Sequence, residues 1–434
     1  MRPAPLLPAQ ASGAAALRGG VPNFRRAAPR ASGWRHQFPA HSPLSPAAVL
    51  AGVAAATGGT SRHRCAARLI ALLNERYSPR AVLLTDSGTT ALTAALRGVL
   101  QQRPGSAVAL PAFSCYDLAT AADGADAPVL LYDTDPHSLA PDLASLRATL
   151  RRGASVIVVA HLYGCPADVV EVNRLAAEAG AVVIEDAAQA AGATVDHRAT
   201  GAQASLAVLS FGRGKGLTGG GGGALLAYDD AGERLLESAR AVLRESRRGW
   251  AELIAVAAQF LLEHPSLYAF PAALPFLRLG QTIYREPRTL GAATAVSCSV
   301  VAATWTLAAR EVEVRRRNAA RLLVELRRQQ GFETIRTLPH AQPGYLRLPV
   351  LASPEVRRSA VEPAARRLGV APSYPKALCD LEPLAHRCLN RDAAFPGSRL
   401  LAARLCTLPT HGQLGDGDLA RLVEWIRVVG RGRP

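Results

Sequence analysis

Lysine is almost missing from this chain of 434 residues: Lys215 and Lys376 stand against 48 arginines. Arginine serves wherever a positive charge alone is needed, so a retained lysine is a candidate for amine chemistry that a permanently protonated guanidinium cannot do. Coding bias with two chance survivors is the alternative, and it suits Lys376 as well as any role does. Acidic residues are missing from the first 74 positions, which hold nine arginines. Of the formal net charge of +16, the remainder of the chain therefore keeps 41 basic against 34 acidic residues, or +7. That excess is dispersed, which argues against a nucleic-acid surface and suits anionic small molecules such as phosphorylated substrates. No apolar run reaches the ~20 residues a bilayer requires, so no transmembrane helix is expected. The seven cysteines form no C-x-x-C pair. Their irregular spacing argues against a zinc site and a disulfide framework, and a reducing, cytoplasmic setting fits best.

With 49% hydrophobic and 19% charged residues the chain should fold, into two or three domains at ~100 to 200 residues each. Residues 1–40, rich in Ala, Arg, Pro and Gly without apolar periodicity, read as a flexible extension; they imitate an organelle transit peptide or form a disordered tail. From residue 81 short apolar runs at 81–84, 107–110, 128–132, 155–160 and 181–184 alternate with helical patterns, the first over 90–101, and two more runs follow at 206–210 and 223–227. This spacing predicts a mostly parallel sheet between helices, an α/β fold with sites at the carboxyl ends of the strands. A large domain over 41–290 and a smaller C-terminal α/β domain over 291–434 are expected. The apolar stretch 250–262, followed by Pro265, Tyr268, Phe270, Pro271, Pro275 and Phe276, is too short to span a bilayer. A helix buried in the core or at a subunit interface is favoured over one lying on a membrane surface. Seven arginines and three glutamates over 310–328 accompany Ala319, Leu322, Leu323 and Leu326 on one face, which predicts an amphipathic helix with a solvated charged side.

Ser87-Gly88-Thr89-Thr90 opens a helix just after a strand, where backbone N–H groups and small hydroxyls form either a phosphate cradle or an ordinary helix cap. Asp186 ends the run Val182-Val183-Ile184-Glu185, and a carboxylate there needs a cation or caps the next helix. Ser210-Phe211-Gly212-Arg213-Gly214-Lys215 puts the rare lysine in a loop past another strand. It is not a Walker loop, because Leu209 stands where the first glycine belongs and Gly216 follows the lysine. A cradle, a strand-end acid and a lone lysine, in that order, are the parts of a pyridoxal phosphate site.

As an ordered set, Ser87-Gly88-Thr89-Thr90-Ala91-Leu92, Pro111-Ala112-Phe113-Ser114, His161-Leu162-Tyr163-Gly164, Glu185-Asp186-Ala187-Ala188-Gln189 and Ser210-Phe211 with Lys215 resemble the DegT/DnrJ/StrS family of pyridoxal phosphate-dependent sugar aminotransferases, of fold type I. The resemblance runs from about His41 to the C-terminus. It implies Lys215 as the Schiff-base lysine, Asp186 as partner of the pyridine nitrogen, Gln189 beside the ring, and Gly88, Thr89, Thr90 and Ser210 around the phosphate. Tyr116 is the candidate for the stacking aromatic, although Cys115 occupies the place where the family often has it. His161, Tyr163 and Arg288 are candidates for binding substrate. Two departures bear on the acceptor: 219–223 is all glycine where the family usually has an acid, and 244–287 is an unusually apolar insertion. The resemblance implies a homodimer transferring an amino group, from glutamate by analogy, to a nucleotide-linked keto sugar in amino-sugar or polysaccharide biosynthesis. A lyase or desulfurase sharing Lys215 and Asp186, or a non-catalytic regulator that uses the basic tail to contact nucleic acid or anionic lipid, are the rival readings.

Overall fold

A computed structural model describes residues 35–245, 249–272 and 282–431; residues 1–34 of the expected extension, and 246–248 and 273–281 of the apolar insertion, lie outside the described residues. Two helices come first, α1 (Pro46–Ala56) and α2 (Arg62–Tyr77), begun by Ser45 and Ser61, whose hydroxyls accept the Ala48 and Arg64 N–H groups. Strands and helices then alternate: β1 (Ala81–Thr85), α3 (Gly88–Gln102), β2 (Ala107–Pro111), α4 (Asp117–Gly124), β3 (Val129–Tyr132), α5 (Leu143–Arg151), β4 (Ala154–Ala160), α6 (Val169–Ala179) and β5 (Val182–Asp186). A small ribbon, β6 (Thr194–Val195) and β7 (Arg198–Ala199), precedes β8 (Leu206–Ser210), β9 (Gly223–Ala227) and α7 (Asp230–Ala241). The seven-stranded sheet has the order β1-β9-β8-β5-β4-β2-β3, and only β9 runs antiparallel to its neighbours. Helices cover both faces, so the strands carry near-continuous apolar runs. The carboxyl ends of β1, β2, β5 and β8 all meet one edge.

Beyond α8 (Trp250–Leu261) and α9 (Pro265–Ala272), the 32-residue α10 (Ala295–Leu326) leads into β10 (Phe332–Thr334), β11 (Ala341–Gln342), β12 (Leu348–Ala352), α11 (Pro354–Ser359), α12 (Pro363–Arg367), β13 (Ala371–Pro372), α13 (Pro396–Arg404), β14 (Leu405–Leu408) and α14 (Asp416–Gly430). An antiparallel sheet, β10-β12-β14-β13, forms here, and β11 reaches back to pair with β6.

The helix expected over 310–328 starts fifteen residues earlier, at Ala295. Thr304 hid that extension: its hydroxyl breaks the apolar pattern but is satisfied by the Val300 and Val301 carbonyls, both at 3.1 Å. Val296, Cys298, Val300 and Val301 pack with α1, α2 and the large sheet, whereas Ala319, Leu322 and Leu326 pack in the C-terminal core. The helix belongs to both sides of the boundary expected at 290/291. Of the five arginines within it one departs from the solvated face: Arg315 is buried, donates to the Ala191 carbonyl at 3.3 Å, and is lowered to about 10 by burial.

Arg315 adjoins two buried histidines. Burial, then His411 and Arg315, push His41 down to about 3; burial pushes His411 down to about 4, against the opposing pull of its Phe38 carbonyl partner at 2.9 Å. Both rings are neutral in the folded state. Below pH 6.5, their ordinary value, the unfolded chain binds protons that the folded chain refuses. Stability is complete above that pH and falls as pH drops toward 4, by about 1.4 kcal/mol per pH unit for each histidine. Denaturant unfolding at pH 7.5 and pH 5 should show the loss, and His411→Gln should flatten it. Equal stability at the two pH values would contradict the neutral pair.

Candidate active site

One cavity opens at the edge where the carboxyl ends of the strands gather. Gly88, Thr89 and Leu92 line it from the start of α3, Cys115, Asp117 and Leu118 from the β2–α4 connection, Asp186, Ala188 and Gln189 from the end of β5, and Val208, Ser210 and Lys215 from β8 and the loop after it. A second cleft, at the amino-terminal edge of the sheet and lined by Asn173, Arg198, Gln203, Tyr228 and Asp229 among others, holds no lysine.

The cradle is built by backbone approach. Ser87 caps α3 by accepting the Thr90 N–H at 3.0 Å. A Cβ on Gly88 would fall 2.8 Å from the Cβ of Ser210, so only glycine lets the helix start sit against β8. Thr90 itself is not on the wall: its hydroxyl donates to Asp86 Oδ1 at 2.5 Å inside the cap.

Electrostatics centre on Lys215, half-buried against the cavity. Burial alone would lower it, but Cys115, Asp117 and Asp186 together hold it above the ordinary lysine value. Cys115 is itself pushed up to about 12 by burial and by Asp117, which accepts its thiol hydrogen at 3.3 Å. A neutral thiol cannot hold an ammonium, so the two carboxylates do so at neutral pH. Burial raises Asp186, opposed by the Ala188 N–H donating at 3.0 Å, then by Lys215 and His161.

Strand alternation sends the neighbouring acid to the other face. Glu185 is buried and accepts hydrogen bonds from the Gly201 and Gln203 N–H groups and from His161 Nε2, the last at 2.9 Å. His161 Nδ1 accepts the Ala167 N–H at 3.0 Å. Both ring nitrogens of His161, expected to meet substrate, are thus taken up inside the protein. Gln189 is held from two sides: its Oε1 accepts the Tyr163 N–H at 3.1 Å and its Nε2 donates to the Tyr374 hydroxyl at 2.7 Å. Tyr163 stacks on Tyr374, ring centroids 5.7 Å apart, and its hydroxyl bonds Ser373, so it backs the wall and does not line it. Cys115 lines the cavity where Tyr116 was expected. The Tyr116 hydroxyl accepts the Lys376 N–H at 3.0 Å and donates to the Lys376 carbonyl at 3.3 Å. Arg288 is exposed on the single chain, near Asp86.

The all-glycine run after Lys215 has a packing reason. Gly220 has φ +74°, and a Cβ there would lie 2.4 Å from the Glu252 carbonyl oxygen, so α8 rests directly on the run. Sequence reasoning missed Asp117, although an acid in the first turn of the helix after Pro111-Ala112-Phe113-Ser114 was a usable signal. It also missed Tyr374 and Ser373, for which no local signal exists.

Residues 55–262 match the model of the DegT/DnrJ/EryC1/StrS aminotransferase family. The match takes in 208 of the 434 residues, and over that stretch the chain is similar to this family. Among its relatives is the UDP-N-acetyl-3-dehydro-alpha-D-glucosamine 3-aminotransferase of Acidithiobacillus ferrooxidans, 36% identical over 145 residues, an alignment spanning 33% of this chain and 39% of the relative's length. The fold is shared by the sugar aminotransferase CalS13 from Micromonospora echinospora (TM-score 0.71, 22% identity, 90% of this chain and 98% of that one). It is shared too by the PLP form of Spr1654 from Streptococcus pneumoniae (TM-score 0.72, 17% identity, 92% and 99%). Among the described residues no group of His, Cys, Asp or Glu is placed to hold a metal ion.

Proposed function

We propose that this protein is a pyridoxal phosphate-dependent aminotransferase that moves an amino group from an amino acid, with glutamate the first donor to assay, to a keto sugar carried on a nucleotide. The observation that carries the reading is the donor set of a single cavity, in which the Lys215 amine, the Asp186 carboxylate, the Thr89 and Ser210 hydroxyls and the Gln189 carboxamide share a wall. These groups fit the cofactor by chemistry: hydroxyls and a helix N-terminus for its phosphate, a carboxylate for its ring nitrogen, an amine for its aldehyde. Pyridoxal phosphate, when bound, supplies an electron sink for the pair left when a C–H bond beside the amino nitrogen breaks.

The chain's own residues supply the rest. Lys215 Nζ is the amine placed to take and return that proton, and it can do so only once it has lost the ammonium proton that Asp117 and Asp186 favour. Asp186 contributes a fixed negative charge in a partly desolvated wall, where charge acts more strongly than in water. Gln189, held by Tyr163 and Tyr374, keeps its place without cost at the moment of reaction. The relative acting on a dehydro sugar of UDP supports the acceptor class. A desulfurase needs a reactive thiolate, and burial holds Cys115 neutral.

The test is to convert the purified enzyme to its pyridoxamine form and offer nucleotide-linked keto sugars. At least one should restore the pyridoxal spectrum and yield an amino sugar. If keto acids restore it and no keto sugar does, the acceptor assignment fails.

A further inference from the structure

We propose that the surface formed by α1, α8 and α9 lies flat on an anionic lipid bilayer. The outward positions of α8 are Trp250, Ala251, Ile254, Ala255, Ala258 and Leu261, with Ile254 68% and Leu261 66% exposed. None is polar. A helix on a soluble protein's surface normally turns its charged side chains outward. Beside α8, and packed with it on α10, α1 has no polar side chain from Pro46 to Ala56 and exposes Leu50 and Val53. The two acids of the α8 region are withheld: Glu252 turns toward the glycine run, its Cγ 3.4 Å from a Cβ built on Gly221, and burial pushes Glu263 up to about 7. After a 116° bend, α9 exposes Leu267 and Phe270, the latter at 74%. Among the described residues no single helix is long and apolar enough to cross a membrane. Twelve residues of α8 cover about 18 Å against the ~30 Å of a hydrocarbon core, so the pair lies in the interface instead of spanning it.

The border of this apolar face is basic. Exposed Arg213 acts electrostatically on Tyr268 of α9, and exposed Arg366 and Arg367 act on His36. The His36 N–H donates to the Pro265 carbonyl at 3.1 Å, and Phe38 packs on Tyr268 with centroids 4.2 Å apart. A second copy of this chain is the other conceivable occupant, but it would cover the apolar centre while presenting the same basic border again. An anionic leaflet answers both the apolar centre and the basic border.

Vesicle binding does not depend on turnover, so this inference stands or falls apart from the proposed reaction. The full chain should co-sediment with vesicles of about three parts phosphatidylcholine to one part phosphatidylserine, and less with phosphatidylcholine alone or at high salt. Ile254→Glu with Phe270→Glu, both at exposed positions, should lower the partition coefficient by about tenfold or more without changing oligomeric mass or melting temperature. Val428→Glu, equally exposed but on α14, should bind like the unaltered protein. Protein left in the supernatant, or a double variant that binds as before, overturns the proposal. So does a double variant that changes oligomeric mass, which assigns the face to a second copy.

Discussion

Replacing Lys215 with Arg is expected to abolish both covalent capture of the cofactor and transamination while leaving the fold in place. With cofactor bound, borohydride should fix it to one peptide of the unaltered protein, and that peptide should contain Lys215. Only one other lysine exists in the whole chain, so the mapping has a single competitor. Arginine keeps the positive charge that Asp117 and Asp186 hold in the cavity wall, so the electrostatic balance of the empty site survives and the melting temperature should change little. What is lost is an amine that can be deprotonated, attack an aldehyde and carry a proton. Turnover should fall about 10⁴-fold or more, which corresponds to ~5 kcal/mol of barrier. Lys376→Arg should keep both label and activity, because it is the backbone N–H and carbonyl of Lys376 that meet Tyr116. A label that persists in the Lys215 variant, or maps to Lys376, overturns the assignment.

How legible this arrangement is in the sequence depends on the range of the interactions involved. The runs 206–210 and 223–227 coincide with β8 and β9, because strands buried on both faces write themselves as unbroken apolar runs between glycine-rich turns. Lys215 stands out by scarcity and Asp186 by its place at the end of a strand, and both are local signals. The Glu185–His161 pair is not local, and neither is the Tyr163–Tyr374 stack, whose partners are more than 200 residues apart in the chain. Composition correctly marks 250–261 as apolar, yet period alone cannot say which way a helix with apolar residues on every side will turn. The expectation was a helix in the core or at a subunit interface: on the single chain α8 buries Leu253 and Val256 and leaves Trp250, Ile254 and Leu261 outside, which departs from the first alternative and does not test the second. The glycine run is the counterpart of that packing. In the sequence it reads as a missing acid; in the structure it is the bed on which α8 lies.

Removing the carboxylate of Asp186 should separate holding the cofactor from using it. In Asp186→Ala the Lys215 amine, the Thr89 and Ser210 hydroxyls and the start of α3 all remain, so borohydride should still fix the cofactor to the Lys215 peptide. Turnover should nonetheless fall by about 10³-fold or more, ~4 kcal/mol, because the ring nitrogen loses the fixed charge that favours its protonated form and the electron sink weakens. The sign of the accompanying shift follows from the same geometry. Asp186 is one of the groups that raise Lys215, so its loss should lower the lysine, and the pH at which the free enzyme's amine gives up its proton should move down. Asp186→Asn, which keeps the shape and the possibility of accepting the Ala188 N–H, should lose turnover nearly as far, since it is the charge that matters. Capture without turnover in both variants is the signature of a residue acting on the bound ring. Turnover close to that of the unaltered enzyme would remove Asp186 from the role, and loss of capture together with turnover would make it a residue of the fold.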